Sequence, residues 1–82
     1  TLTDLRQESM RHSAEIMGKQ FLLSDREVDV LALYALGYTQ KKAAEKLIIS
    51  QSTAHEHVKR IYTKTGLHSR QEILDYIAQY AS

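Results

Sequence analysis

Apolar and polar residues alternate along residues 51–65 with the period of an α-helix. Three apolar residues and a threonine recur at intervals of four, three and four residues, the spacing that places side chains on one helical face: Ala54, Val58, Ile61 and Thr65. We expect that face to be buried. A second face carries only polar and charged side chains: Ser52, His55, Glu56, Lys59 and Thr63. We expect it to meet water or a partner.

Two residues mark the ends of this helix. Ser50 can accept hydrogen bonds from the free amides of the first turn, and Gly66 can adopt the left-handed conformation that ends a helix. A helix of this length spans about 22 Å, and a single helix fits the major groove of DNA. We therefore interpret residues 51–65 as a recognition helix.

Two helices are predicted to precede it. Ser24 and Glu27 form the S-x-x-E pattern of a capping box, which predicts a helix over residues 25–36. Thr39 can cap a short helix over residues 40–47. This short helix, a tight turn and the recognition helix together form the helix-turn-helix pattern.

The last predicted helix covers residues 70–81 and begins after Ser69. Its apolar face and a neighbouring aromatic stripe either cover the core or pair two copies of the chain. The candidate dimer interface comprises Ile73, Tyr76, Ile77 and Tyr80. The fold class predicted from all these patterns is all-α, a compact four-helix helix-turn-helix bundle.

A weaker pattern occupies residues 1–20. Its apolar stripe is thin and broken in the middle, with Leu2, Leu5, Ile16 and Met17, and Gly18 is a candidate helix stop. We interpret residues 1–20 as a linker or the tail of a preceding domain, helical or not, and residues 21–82 as the domain proper. The start at Thr1 rather than methionine leads us to expect a longer protein.

Composition narrows the classes of function. The chain has 82 residues, 43% of them hydrophobic and 26% charged, which is typical of one soluble globular domain. It has no cysteine, no metal-ligand spacing, no glycine-rich phosphate loop and no apolar run long enough to span a membrane. We expect a cytoplasmic protein that is not an enzyme and that needs no cofactor, metal or small-molecule substrate.

The net charge of +1 conceals an uneven distribution. Residues 39–65 carry six lysine and arginine side chains against two glutamates, whereas residues 23–36 carry one arginine against three carboxylates. Positive charge concentrated on the helix-turn-helix is expected for contact with phosphate, although solvated surface lysines would give the same pattern.

The exposed face of the recognition helix supplies candidate base contacts. Lys59 can donate to guanine, Glu56 can accept from the cytosine amino group, and His55 can do either according to its tautomer. Glu56 can equally pair with a basic neighbour on the helix. Candidate phosphate contacts are hydroxyls near helix starts and nearby lysines: Thr39, Lys41, Ser52, Thr53 and Lys64. His57 lies beside the apolar face, so we expect a partly buried, hydrogen-bonded ring.

The chain resembles the LuxR-type (GerE-like) helix-turn-helix domains of bacterial transcription regulators. The resemblance runs through Leu23-Ser24, Arg26-Glu27, Val30-Leu31, Leu33, Ala35, Gly37, Ala44, Leu47, Ile49-Ser50, Thr53, His57, Ile61-Tyr62, Lys64, Gly66 and Ser69-Arg70. It implies double-stranded DNA as partner, the third helix in the major groove, and a homodimer formed through the last helix on an inverted repeat. It also implies the C-terminal output domain of a longer regulator, with RNA polymerase as a further candidate partner.

The chain departs from the family at several positions. Ala43 and Ala54 stand where Ile and Val are usual, and Thr65 stands where Leu is usual, which predicts a smaller apolar core. His55 stands where Lys or Arg is frequent in the family, so the DNA sequence that this chain binds cannot be taken from its relatives. The competing interpretation is a bundle that docks on another protein, but such a surface should expose apolar or aromatic residues on the recognition helix.

Overall fold

A computed structural model of the chain describes residues 1–80, apart from the side chain of Thr3. All regular elements in these residues are helices: α1 (Leu2–Phe21), α2 (Asp25–Ala35), α3 (Gln40–Leu47), α4 (Gln51–Thr65) and α5 (Arg70–Ala78). The all-α prediction is confirmed. Helices α2, α3 and α4 match their predicted ranges to within one residue, while α5 ends three residues before its predicted end at 81, a position outside the described residues.

The predicted caps account for the helix starts. The Ser24 hydroxyl accepts from the amide of Glu27 at 3.2 Å, and Glu27 Oε1 accepts from the amide of Ser24 at 2.9 Å, so the capping box is formed. Hydroxyls at the other three starts accept from the amide three residues later: Thr39, Ser50 and Ser69. Local sequence therefore determines where these four helices begin.

Helix α1 is more closely integrated than its sequence predicts. Ala14 and Met17 are fully buried in the core shared with α2 and α5. Gly18 does not end the helix, which continues to Phe21 and is capped by Leu22, so the predicted stop is wrong. A Cβ atom at Gly18 would clash with Val28, which means that this glycine lets α1 approach α2 closely. The second half of α1 therefore packs into the core, while the interpretation of residues 1–20 as a linker or the tail of a preceding domain stays a prediction.

The centre of the core lies where α2, α4 and α5 converge. Its buried side chains come from all three helices and include Val30, Leu31, Val58, Ile61, Ile73 and Ile77. Helix α4 contributes Val58 and Ile61 to this core, and Tyr62 packs against it. The core therefore holds α4 from one side and leaves its opposite side open.

The buried residues of α5 correct part of the dimer prediction. Ile73 and Ile77 are only 1% and 2% exposed because they pack into the core of their own chain. They cannot contact a second copy while this fold is intact. Tyr76 and Tyr80 are half-buried against α1: Gln20 donates to the Tyr76 hydroxyl at 2.8 Å, and the Tyr80 hydroxyl hydrogen-bonds to the same amide.

Candidate nucleic-acid interface

The two faces of α4 are as different in the structure as in the sequence. Ala54, Val58 and Ile61 are all buried. The five polar side chains of the opposite face are all exposed: Ser52, His55, Glu56, Lys59 and Thr63. The helix therefore presents a continuous polar surface about 22 Å long at 1.5 Å per residue, without an apolar patch.

Helices α3 and α4 meet at a close corner. Ala43 and Ala44 are buried between α3 and its neighbours, and their small side chains allow a short distance between the helices. The turn is held by the Ile49 amide, which donates to the Ala44 carbonyl at 3.0 Å. Ile48, in the same turn, has a φ of 56° and a side chain that is 92% exposed. The corner fixes the start of α3 beside the first turns of α4.

The three candidate base contacts lie together on this surface. Glu56 Oε1 is 4.0 Å from Lys59 Nζ, and both side chains are more than half exposed, so this pair constrains neither strongly. His55 Nδ1 is 3.3 Å from Oε1 of Gln40, the first residue of α3. The charged groups of Glu56 and Lys59 and the ring of His55 are thus accessible to a partner.

A shallow depression beside the first turns of α4 adds two residues that the sequence analysis missed. It is lined by Gln40, Gln51, Ser52, His55 and Glu56. Gln40 stands fifteen residues before His55 and on another helix. No local pattern relates residues at that separation, which is why sequence reasoning did not associate them.

The candidate phosphate contacts divide into two groups. Thr39, Lys41, Ser52 and Thr53 are exposed at or near the N-terminal ends of α3 and α4. Two of them already take part in caps: the Thr39 hydroxyl accepts from the Lys42 amide at 3.2 Å, and Thr53 Oγ1 accepts from Ser50 Oγ at 2.9 Å. A hydroxyl that accepts a hydrogen bond still has its own proton to donate, so these caps leave a donor for phosphate.

Lys64 has a structural role instead. Its ammonium lies 2.7 Å from Oε1 of Glu27 and 3.3 Å from the Leu22 carbonyl, although Glu27 is only 2% exposed. Burial raises the pKa of Glu27, but the hydrogen bonds from Lys64 and the Ser24 amide outweigh burial and hold the pKa below its ordinary value. The charge of Lys64 therefore neutralises a buried carboxylate, and we do not propose this lysine as a phosphate contact.

Arg70 joins α5 to the end of α2. Its guanidinium stacks over the ring of Tyr34 at 4.4 Å and donates to the carbonyls of Tyr34 at 3.0 Å and Tyr38 at 3.2 Å. The Tyr34 hydroxyl lies 3.4 Å from the Tyr62 hydroxyl. Burial is the main cause that raises the pKa of Tyr62 to about 12, and the hydrogen bond with Tyr34 is the second cause. Arg70 thus fixes the loop that leads into α3.

The prediction for His57 is half right. The ring is half-buried as expected. Its Nδ1 is buried and has no hydrogen-bond partner among residues 1–80, so the predicted hydrogen bond is not formed at that atom. Its neighbour His55, two positions earlier, points to the exposed face, and no cluster of metal-binding side chains occurs in the part of the chain that the structure describes.

None of the helices in residues 1–80 has the length and apolarity needed to cross a membrane.

Comparison with known proteins assigns the sequence to a family. The profile described as "Bacterial regulatory proteins, luxR family" (GerE) matches residues 22–77. Similar curated proteins are the oxygen regulatory proteins NreC of Staphylococcus aureus strains JH9, Mu3 and NCTC 8325, each 46% identical over 55 residues. The match covers 67% of this chain and 25% of each relative, so the chain corresponds to about a quarter of their length.

No solved structure matches the chain significantly. The family match nevertheless covers most of the chain, from the end of α1 into α5. The matched residues include α2, α3, α4 and most of α5, and their all-helical arrangement with a helix-turn-helix corner is consistent with this family. The chain therefore belongs to the luxR family of bacterial regulatory proteins and is a helix-turn-helix DNA-binding domain.

Proposed function

We propose that the chain binds double-stranded DNA sequence-specifically as the output domain of a bacterial transcription regulator, with α4 in the major groove. The observation that carries the proposal is the division of α4 into a buried apolar face and an exposed polar face. A helix held in this way can enter a groove without unfolding anything. His55, Glu56 and Lys59 are the proposed base contacts.

Phosphate contacts would position the helix in the groove. The proposed contacts are Thr39, Lys41, Ser52 and Thr53, which surround the N-terminal ends of α3 and α4. Free amides at a helix start favour an anion there, and exposed lysines add charge. Such contacts carry no sequence information, but they fix the register in which α4 meets the bases.

We further propose that two copies of the chain dimerise through the exposed edge of α5. The dimer would bind an inverted repeat. With Ile73 and Ile77 buried, the remaining candidates are Tyr76 and Tyr80, whose rings lie 5.9 Å apart. Aromatic side chains are enriched at protein interfaces. We also propose that the domain belongs to a longer regulator that contacts RNA polymerase. These two proposals concern more than this domain, because the chain corresponds to about a quarter of the length of its relatives.

Selection of bound sites from random duplexes, followed by fluorescence anisotropy on the recovered site, tests the proposal. We expect one preferred sequence, recovered as an inverted repeat, and an affinity that falls steeply as salt rises, because phosphate contacts release counterions. Recovery of single half-sites would contradict the dimer alone. Equal, weak binding to all duplexes, or none, would contradict specific DNA binding and favour the docking interpretation.

A further inference from the structure

The contact between Gln40 and His55 indicates which ring nitrogen carries the proton. Oε1 of Gln40 lies 3.3 Å from Nδ1 of His55. An amide oxygen has no proton to give, so a hydrogen bond between these atoms requires that Nδ1 is the donor. In a neutral imidazole the other nitrogen, Nε2, then has a free lone pair and can only accept.

We infer that Gln40 is a positioning residue for base recognition: it holds His55 in the Nδ1–H tautomer, so that Nε2 accepts from the exocyclic amino group of adenine or cytosine. The inference rests on the proposed function, because it specifies which base edges the face of α4 reads. It also assigns a role to a residue of α3 that lies outside the candidate contacts on α4.

The chemistry of the major groove gives this tautomer a definite meaning. Adenine N6 and cytosine N4 present donors there, whereas guanine O6, guanine N7 and thymine O4 are acceptors. An Nε2 lone pair is attracted to the first set and repelled by the second. The opposite tautomer, with the proton on Nε2, would reverse the preference.

The neighbours of His55 extend the pattern. Glu56 is an acceptor when ionised, and Lys59 is a donor only. With His55 as an acceptor, the exposed face presents two acceptors followed by one donor along α4. The matching duplex edge would offer two amino groups, from adenine or cytosine, and then guanine O6 or N7.

Nuclear magnetic resonance of the free protein tests the tautomer without DNA. Long-range proton–nitrogen correlations at pH 8 distinguish a protonated ring nitrogen from an unprotonated one, and a His55→Gln variant assigns the signals. We expect Nδ1–H in the wild type. In Gln40→Ala the ring should move toward the Nε2–H form that unconstrained histidine side chains favour in water, and Gln40→Glu, which keeps an acceptor oxygen, should retain Nδ1–H.

Gln51→Ala is the matched control. Gln51 lines the same depression as Gln40 and is also a glutamine near a helix start, but it makes no hydrogen bond to His55 in the described structure. Its removal should leave the tautomer unchanged. A change of equal size in both alanine variants would show that Gln40 has no specific effect and would overturn the inference.

Site selection with the same variants tests the reading. We expect adenine or cytosine to be enriched about tenfold at one position in the wild type and in Gln40→Glu. In Gln40→Ala, whose ring moves toward the Nε2–H form, we expect that enrichment to be lost or to shift to guanine or thymine. The base preference is the readout instead of the affinity, because the carboxylate added in Gln40→Glu also lowers the overall affinity for DNA. Enrichment of guanine or thymine by the wild type, or an Nε2–H ring in the free protein, would overturn this inference while leaving DNA binding intact. Absence of any DNA binding would instead overturn the proposed function, and the base reading with it.

Discussion

The ammonium of Lys64 lies 2.7 Å from the carboxylate of Glu27 and ties the end of α4 to the start of α2. Glu27 also accepts from the Ser24 amide as part of a capping box. One buried carboxylate therefore serves both the start of one helix and the position of the recognition helix.

Removal of the lysine should destabilise the domain. Lys64→Ala leaves a buried carboxylate without its ion pair, and we expect it to lower the free energy of unfolding by about 2 kcal/mol. This loss is smaller than that for a fully buried pair because the lysine is partly exposed. Urea denaturation measures the change. Lys59→Ala, which removes an exposed lysine of the same helix, should alter stability by less than about 0.5 kcal/mol. Equal effects of the two variants would contradict the role of Lys64.

The same pair predicts an acid dependence of stability. Because the pKa of folded Glu27 lies below the ordinary value of 4.5, its stabilising contribution is complete above pH 4.5 and is lost as the pH falls through the folded pKa. In Glu27→Gln this contribution is absent at every pH. The stability difference between wild type and variant should therefore shrink on acidification, and urea denaturation from pH 7 downward would show a constant difference if the interpretation is wrong.

Gly18→Ala should destabilise the contact between α1 and α2 by about 2 kcal/mol, as overpacking of a core does. A Cβ atom at this position would overlap Cγ2 of Val28. The test is a double-mutant cycle measured by urea denaturation, because Val28→Ala removes the overlapping methyl groups. The Gly18→Ala substitution should then be markedly less harmful in the Val28→Ala background. Additive effects would show that the two residues do not meet.

Ile48→Gly should stabilise the domain by about 1 kcal/mol. The left-handed conformation of Ile48, with φ 56°, is unfavourable for a β-branched residue, and its 92% exposed side chain contributes little packing. Glycine adopts this conformation freely, and the relief exceeds its greater loss of chain entropy. Thermal and urea denaturation measure the gain. A loss of stability would mean that Ile48 makes contacts that this structure lacks.

The sequence predicted the features that depend on short-range signals. The caps at Ser24, Thr39, Ser50 and Ser69 and the helical period of the apolar residues located four helices and the exposed face of α4. Gly18 misled the prediction of α1, since a glycine marks either a helix stop or a close approach between helices, and only the packing distinguishes the two.

Tertiary pairings were beyond sequence reasoning. Glu27 and Lys64 are 37 residues apart, and Gln40 and His55 are 15 apart on different helices. No helical period links such residues, so the sequence pattern favours Lys64 as a phosphate contact and does not relate Gln40 to His55. An amphipathic pattern does not distinguish a core from a dimer contact, so it predicts an interface role for Ile73 and Ile77, which the structure buries in the core.

The central claim is that the exposed face of α4 meets DNA, and the affinity of Lys59→Ala for the selected duplex tests it most directly. Lys19→Ala is the matched control, since Lys19 is an exposed lysine on α1. Loss of one good base contact should raise the Kd of Lys59→Ala about tenfold, while Lys19→Ala stays within about twofold of wild type. Equal affinities of the two variants would contradict the placement of α4 in the groove.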